Sequence, residues 1–234
     1  MAKKQSRKVI LFLVEGASEC TALEFIDKLN SDTSIKFYAT RGDITSNSKV
    51  NTSNCIKKVN EYVMNFVKEK NLFKKDIIKV IHILDTDGVY IPDTNIIEDK
   101  SLDGFIYTTN GIKAPFKENV IERNKNKRSV LEKLLITYNI GSIPYKLYYM
   151  SCNLEHVLHN RLENFTDEEK KELANEFADS YYKKENEFID FINSLDFKVD
   201  GDYKSTWEFI KEDLNSINRY SNLWLFFEEN KNSK

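Results

Sequence analysis

Asp76-Ile77-Ile78-Lys79-Val80-Ile81-His82-Ile83-Leu84, running directly into Asp85-Thr86-Asp87-Gly88, decides the fold class. The run is apolar and β-branched and is bounded by acidic and turn-forming residues. It is too short for a typical helix and reads as a strand buried on both faces, as central parallel strands are. A second run, Lys8 to Val14, has the same character and stops at Glu15-Gly16. Ser18, Glu19, Cys20 and Thr21 follow, and Ala22, Leu23, Phe25, Ile26 and Leu29 continue as an apolar stripe, which predicts a capped helix after the strand.

Further out, Ile35 to Ala39 is a short strand, and a polar stretch through Asn54 reads as an exposed loop. Ile56, Val59, Val63, Phe66 and Val67 recur at helical spacing and predict a helix to about Lys70. Ser129 to Tyr138 reads as a helix, Tyr145 to Met150 as a strand and Asn153 to Arg161 as the helix after it. From Thr166 the pattern is helical, carried by Leu173, Phe177, Tyr181, Phe188 and Ile192 and then by Trp207, Phe209, Ile210, Leu214 and Ile217. The expected fold class is α/β, a Rossmann-type parallel sheet flanked by helices with a C-terminal helical extension. The expected domains are residues 1–162 and 163–234.

Composition excludes several classes. The 41% hydrophobic content is too high for a disordered chain, and 31% charged residues argue against a membrane protein. The longest apolar run, Val9 to Val14, falls far short of the roughly 18 to 20 residues that span a bilayer. The basic N-terminus resembles the start of a signal peptide, but Glu15-Gly16 ends the apolar run too early, so no membrane association and a cytoplasmic location are expected. Cys20, Cys55 and Cys152 are odd in number and lack CxxC spacing, which favours neither a disulfide framework nor a zinc site. A net charge of −2 conceals two basic groups, Lys3, Lys4, Arg7 and Lys8, and Arg123, Lys125, Lys127 and Arg128. Each is either a phosphate contact or a solvated surface.

In open α/β sheets ligands gather beyond the carboxyl ends of strands. Glu15, Asp85 and Asp87 follow two such ends, and three carboxylates at one sheet edge repel one another unless a cation intervenes. Mg²⁺ or Mn²⁺ suits oxygen ligands and supports phosphoryl transfer. The plainer alternatives are that Glu15 complements a helix N-terminus and that Asp87-Gly88 is a tight turn. His156 and His159 lack the partners that would specify zinc, and His82 reads as a core imidazole. Trp207, Trp224, Phe226 and Phe227 read as packing residues rather than base-stacking platforms.

Val14-Glu15-Gly16 followed by Leu84-Asp85-Thr86-Asp87-Gly88 resembles the TOPRIM fold of topoisomerases, primases and the OLD-like and abortive-infection nucleases. Glu19, four residues after Glu15, matches a second Glu of the OLD-like branch, and Ser151-Cys152-Asn153-Leu154-Glu155 resembles its later Ser and Glu. The resemblance spans roughly residues 8 to 162 and leaves the C-terminal helices unexplained. It implies a Mg²⁺- or Mn²⁺-dependent nuclease with Glu15, Asp85 and Asp87 catalytic. The implied metal ligands are Glu15, Glu19, Asp85, Asp87 and Glu155. DNA or RNA is the expected substrate, with Arg123, Lys125, Lys127 and Arg128 holding its backbone from a loop that leads into the helix at Ser129. The chain has no GxxxxGK[ST] loop, so an antiviral defence role driven by ATP would need a partner ATPase. Two other readings stand beside this one. Asp85-Thr86-Asp87-Gly88-Val89 resembles the phosphatase motif of haloacid dehalogenase-like enzymes, and a TOPRIM module can bind a partner without catalysing anything.

Overall fold

The computed structural model describes residues 8–28, 35–41, 44–45 and 47–231. Lys3, Lys4 and Arg7 of the N-terminal basic group, and Leu29 of the first predicted helix, lie outside them. In chain order the elements are β1 (Lys8–Val14), α1 (Ala17–Ala22), β2 (Ile35–Arg41), α2 (Cys55–Glu69), β3 (Ile77–Asp85), β4 (Ile96–Glu98), β5 (Ile106–Thr108), β6 (Gly111–Ala114), α3 (Lys117–Leu135), β7 (Asn139–Ile140) and β8 (Ile143–Ser151). There follow α4 (Leu154–His159), α5 (Asp167–Tyr181), α6 (Glu185–Ile192), α7 (Tyr203–Ile210), β9 (Tyr220–Ser221) and α8 (Trp224–Lys231).

The fold is α/β, with a mixed, mostly parallel sheet flanked by helices. Strand order is β2-β1-β3-β8-β7, with β9 added to β8, and β4, β6 and β5 form a separate three-stranded sheet. β1 runs parallel to β2 from Lys8↔Ile35 to Val14↔Arg41, and parallel to β3 up to Leu13↔His82. No helix among the described residues is long and apolar enough to cross a membrane.

The chain divides into two compact units, each assembled from three stretches, and neither follows the 162/163 boundary. The first unit comprises residues 1–83, 130–147 and 174–185. Its centre is β1, where Val9, Leu11, Phe12, Leu13 and Val14 are fully buried, each large side chain contributing about 1.5–3 kcal/mol on burial. Val59, Val63, Phe66 and Val67 of α2 are buried at the predicted helical spacing, and Phe177 of α5 packs on Phe25 with ring centroids 6.2 Å apart. His82 is a core imidazole as expected, its Nδ1 2.7 Å from the Tyr145 hydroxyl.

The second unit comprises residues 84–129, 148–173 and 186–234. Ile91, Ile96, Ile112, Ala114, Val120, Cys152 and Ile217 form one of its apolar clusters. Trp207 lies edge-on to Tyr149 at 5.0 Å, and Trp224, Phe226 and Phe227 are buried, as packing residues should be. The Tyr149 hydroxyl donates to Thr206 O, and Asn222 Oδ1 accepts from Tyr149 N, which ties the C-terminal segment to β8.

Several expectations need correction. Ser18 does not cap the first helix: Gly16 occupies the N-cap with no side-chain bond, and α1 ends at Ala22 before a 3-10 turn over Glu24–Lys28. The polar stretch before Asn54 is not wholly exposed, because Ile44, Thr45 and Val50 are buried. The helical tail also contributes a strand, β9. The largest correction concerns α3. It begins at Lys117 rather than Ser129, so Arg123, Lys125, Lys127 and Arg128 lie within a helix and not in a loop. Its buried positions Val120, Asn124, Lys127, Val130, Leu131 and Leu134 have helical spacing, but two of them are polar. The apolar periodicity that signals a helix is therefore broken at Asn124 and Lys127.

Candidate functional site

In the first unit, Glu15 follows β1 and is only 6% exposed. Thr45 N donates to Glu15 Oε1 at 2.8 Å. The Thr45 hydroxyl sits between the two carboxylate oxygens, 2.5 Å from Oε1 and 2.6 Å from Oε2. It has one proton and can donate to one oxygen at a time. The Glu19 carboxylate lies against Gly16, in space that a Cβ at that position would need.

In the second unit, the segment after β3 is fixed through its backbone. Thr86 N donates to Met150 O at 3.1 Å, Asp87 N to Cys152 O at 2.7 Å and Gly88 N to Ser216 O at 2.9 Å. The buried Thr86 hydroxyl donates to Ser216 O at 2.6 Å. Asp87 and Gly88 both have positive φ, +52° and +66°, so the tight-turn reading of this pair holds. A Cβ at Gly88 would press on Ile112 and Ile217 of the apolar cluster, and its φ is a second reason for glycine there.

Helix α3 closes on this turn with polar groups. Lys127 Nζ is 2.5 Å from Asp87 Oδ2, and the Lys127 side chain is only 3% exposed. The Tyr107 hydroxyl donates to Asp87 Oδ1 at 2.9 Å and accepts from Arg123 Nη1 at 3.2 Å. Arg123 Nη2 donates to Asp87 O at 2.9 Å, and its guanidinium lies 4.8 Å from the Phe105 ring centre. Arg128 Nη2 donates to Val89 O at 2.8 Å. Three of the four residues expected to hold a nucleic-acid backbone are thus engaged by the Asp87–Val89 segment, and Lys125 is exposed.

Electrostatics follow from this packing. Burial alone would raise the Asp87 carboxyl, but the Lys127 and Arg123 charges, with hydrogen bonds from Lys127 and Tyr107, hold it below the ordinary range. Burial and the Asp87 charge push the Tyr107 phenol well up. The Cys152 thiol is raised by burial first and then by Asp87 and Asp85, with Arg123 and Lys127 acting in the opposite direction. Glu155 is 4% exposed in the first turn of α4, whose N-cap Asn153 accepts from His156 N. Burial and the Arg219 charge lower the His156 imidazole to about 4.

Comparison of the chain with protein-family models, curated proteins and solved structures finds no match.

The geometry of the site bears on the expected metal. Among the described residues, no group of three or more His, Cys, Asp or Glu side chains is arranged to hold a metal ion. Asp87 gives a physical reason, since its carboxylate is already bonded to an ammonium and a phenol. Asp87 as it stands does not fit a resident Mg²⁺ or Mn²⁺; of the other expected ligands, Glu15 and Glu19 belong to the first unit and Asp85 and Glu155 to the second. Tyr107, Asn124, Thr45 and Ser216 escaped the sequence reading, and nothing local distinguishes the first, third and fourth. Asn124 had a usable signal, because Val120, Asn124, Lys127 and Leu131 share one face once the helix is recognised.

Proposed function

We propose that the protein is a nuclease that cleaves phosphodiester bonds in DNA or RNA. The observation that supports this most is the Asp85-Thr86-Asp87-Gly88 turn at the carboxyl end of a central strand, held by backbone bonds from three successive residues. Such edges are where α/β folds carry chemistry, and a rigid turn places Asp85 without a cost in reordering. Dependence on Mg²⁺ or Mn²⁺ belongs to the proposal through the TOPRIM resemblance, not through the side-chain arrangement. A defence role beside a partner ATPase rests on the same resemblance.

The phosphatase alternative requires the second Asp of its motif to carry and donate a proton. Lys127 and Arg123 hold Asp87 ionised, which counts against that role at neutral pH. The deciding experiment incubates purified protein with DNA and with total RNA in Mg²⁺, Mn²⁺ or EDTA and maps the cleaved ends. Metal-dependent cleavage by wild type that falls by about 100-fold or more in Asp85→Ala is expected. Equal activity in that variant, or a trapped phospho-aspartate at Asp85, would sink the nuclease reading.

A further inference from the structure

In the second unit a counter-charge for the strand-end carboxylate of Asp87 is supplied by the chain. Lys127 is buried and meets Asp87 Oδ2 at 2.5 Å, Tyr107 covers Oδ1, and Arg123 covers the Asp87 carbonyl oxygen. The Asp87 backbone is fixed in the left-handed region with its N–H bonded to Cys152 O, and its carboxylate is held from both oxygens by Lys127 and Tyr107. A divalent ion on Asp87 would meet the Lys127 ammonium at close range, in surroundings where like charges repel more strongly than in water.

We infer that Lys127 is a tethered cation occupying the Asp87 carboxylate in place of a divalent ion, so that Asp87 is the counter-ion of α3 and not a metal ligand. The arrangement has a clear physical advantage. A covalently attached ammonium needs no free ion and keeps the turn and helix α3 together at any metal concentration. The inference stands independently of nuclease activity, because it concerns which cation Asp87 holds.

The test is Mn²⁺ titration of the full chain, read by electron paramagnetic resonance of free Mn²⁺, for wild type, Lys127→Met and the charge-balanced pair Asp87→Asn with Lys127→Met. The double variant should bind Mn²⁺ as wild type does, because Asp87 contributes nothing in either. Lys127→Met alone leaves Asp87 without its ammonium partner, held by Tyr107 only, and should bind Mn²⁺ about tenfold or more tightly than wild type. If the single variant does not fold, the double variant decides. A loss of about tenfold or more in Mn²⁺ affinity in the double variant overturns the inference. So does a folded Lys127→Met protein that binds Mn²⁺ no better than wild type.

Discussion

Glu15 and Asp87 are both strand-end carboxylates, and the bonds seen at each are of different kinds. Glu15 accepts from a backbone N–H and a hydroxyl of Thr45, which carry no net charge. Asp87 is bonded to the ammonium of Lys127, with the Arg123 guanidinium on its carbonyl oxygen. Dipolar partners orient a carboxylate and leave its charge available, whereas an ionic partner consumes it. Two acids that look equivalent in a motif are therefore held by different bonds, and for Asp87 one of them is ionic.

The sharpest way to break this comparison is at Lys127. Removing one member of a buried ion pair leaves the other uncompensated. Lys127→Met should cost about 3 kcal/mol in urea denaturation, toward the low end for such pairs because Asp87 keeps Tyr107 and is a fifth exposed. Adding Asp87→Asn should recover most of that loss. Strictly additive losses would mean that the pair is not coupled.

Acid titration separates the groups by pH window. His156 is held near 4, below its ordinary 6.5, so between those values the unfolded chain takes up a proton that the folded chain refuses. Stability should fall by about 3 kcal/mol as pH drops from 6.5 to 4, and His156→Gln should flatten that slope. The Asp87 contribution has a different window. Its carboxyl is depressed, so its stabilisation is intact above the ordinary Asp value of 3.8 and is lost only as pH falls below it. Denaturation curves for wild type and the Asp87→Asn, Lys127→Met pair should diverge only in that lower range.

The smallest effect is expected at Thr45. Thr45→Val removes the hydroxyl from Glu15 but keeps the backbone donor, and should cost about 1–2 kcal/mol by thermal unfolding. A loss as large as that of Lys127→Met would mean that Glu15, like Asp87, depends on a strong partner.

Much of the first unit was legible in sequence. β1, α2 and β3 lie within one or two residues of their expected bounds, because each buries a face or both faces through an unbroken apolar pattern. The three-stranded sheet of β4, β5 and β6 left no such signal. Its strands are three or four residues long, and much of their surface is exposed or half-buried. At the site, the positions of Asp85 and Asp87 at a strand end were legible, and the commitment of Asp87 was not.

The sequence by itself determined the α/β class and the ends of the central strands at acidic residues. Apolar period and turn chemistry are local properties, readable over a few residues. Only the tertiary structure decided where the charges of α3 go. Arg123, Lys127 and Arg128 look like a solvent-facing or phosphate-facing cluster along the chain, and in the fold they reach back 36 to 40 residues to Asp87 and Val89. A basic residue carries no local mark of whether its partner will be water, phosphate or a distant carboxylate. That choice is made when burial removes the water and leaves Asp87 as the nearest counter-charge.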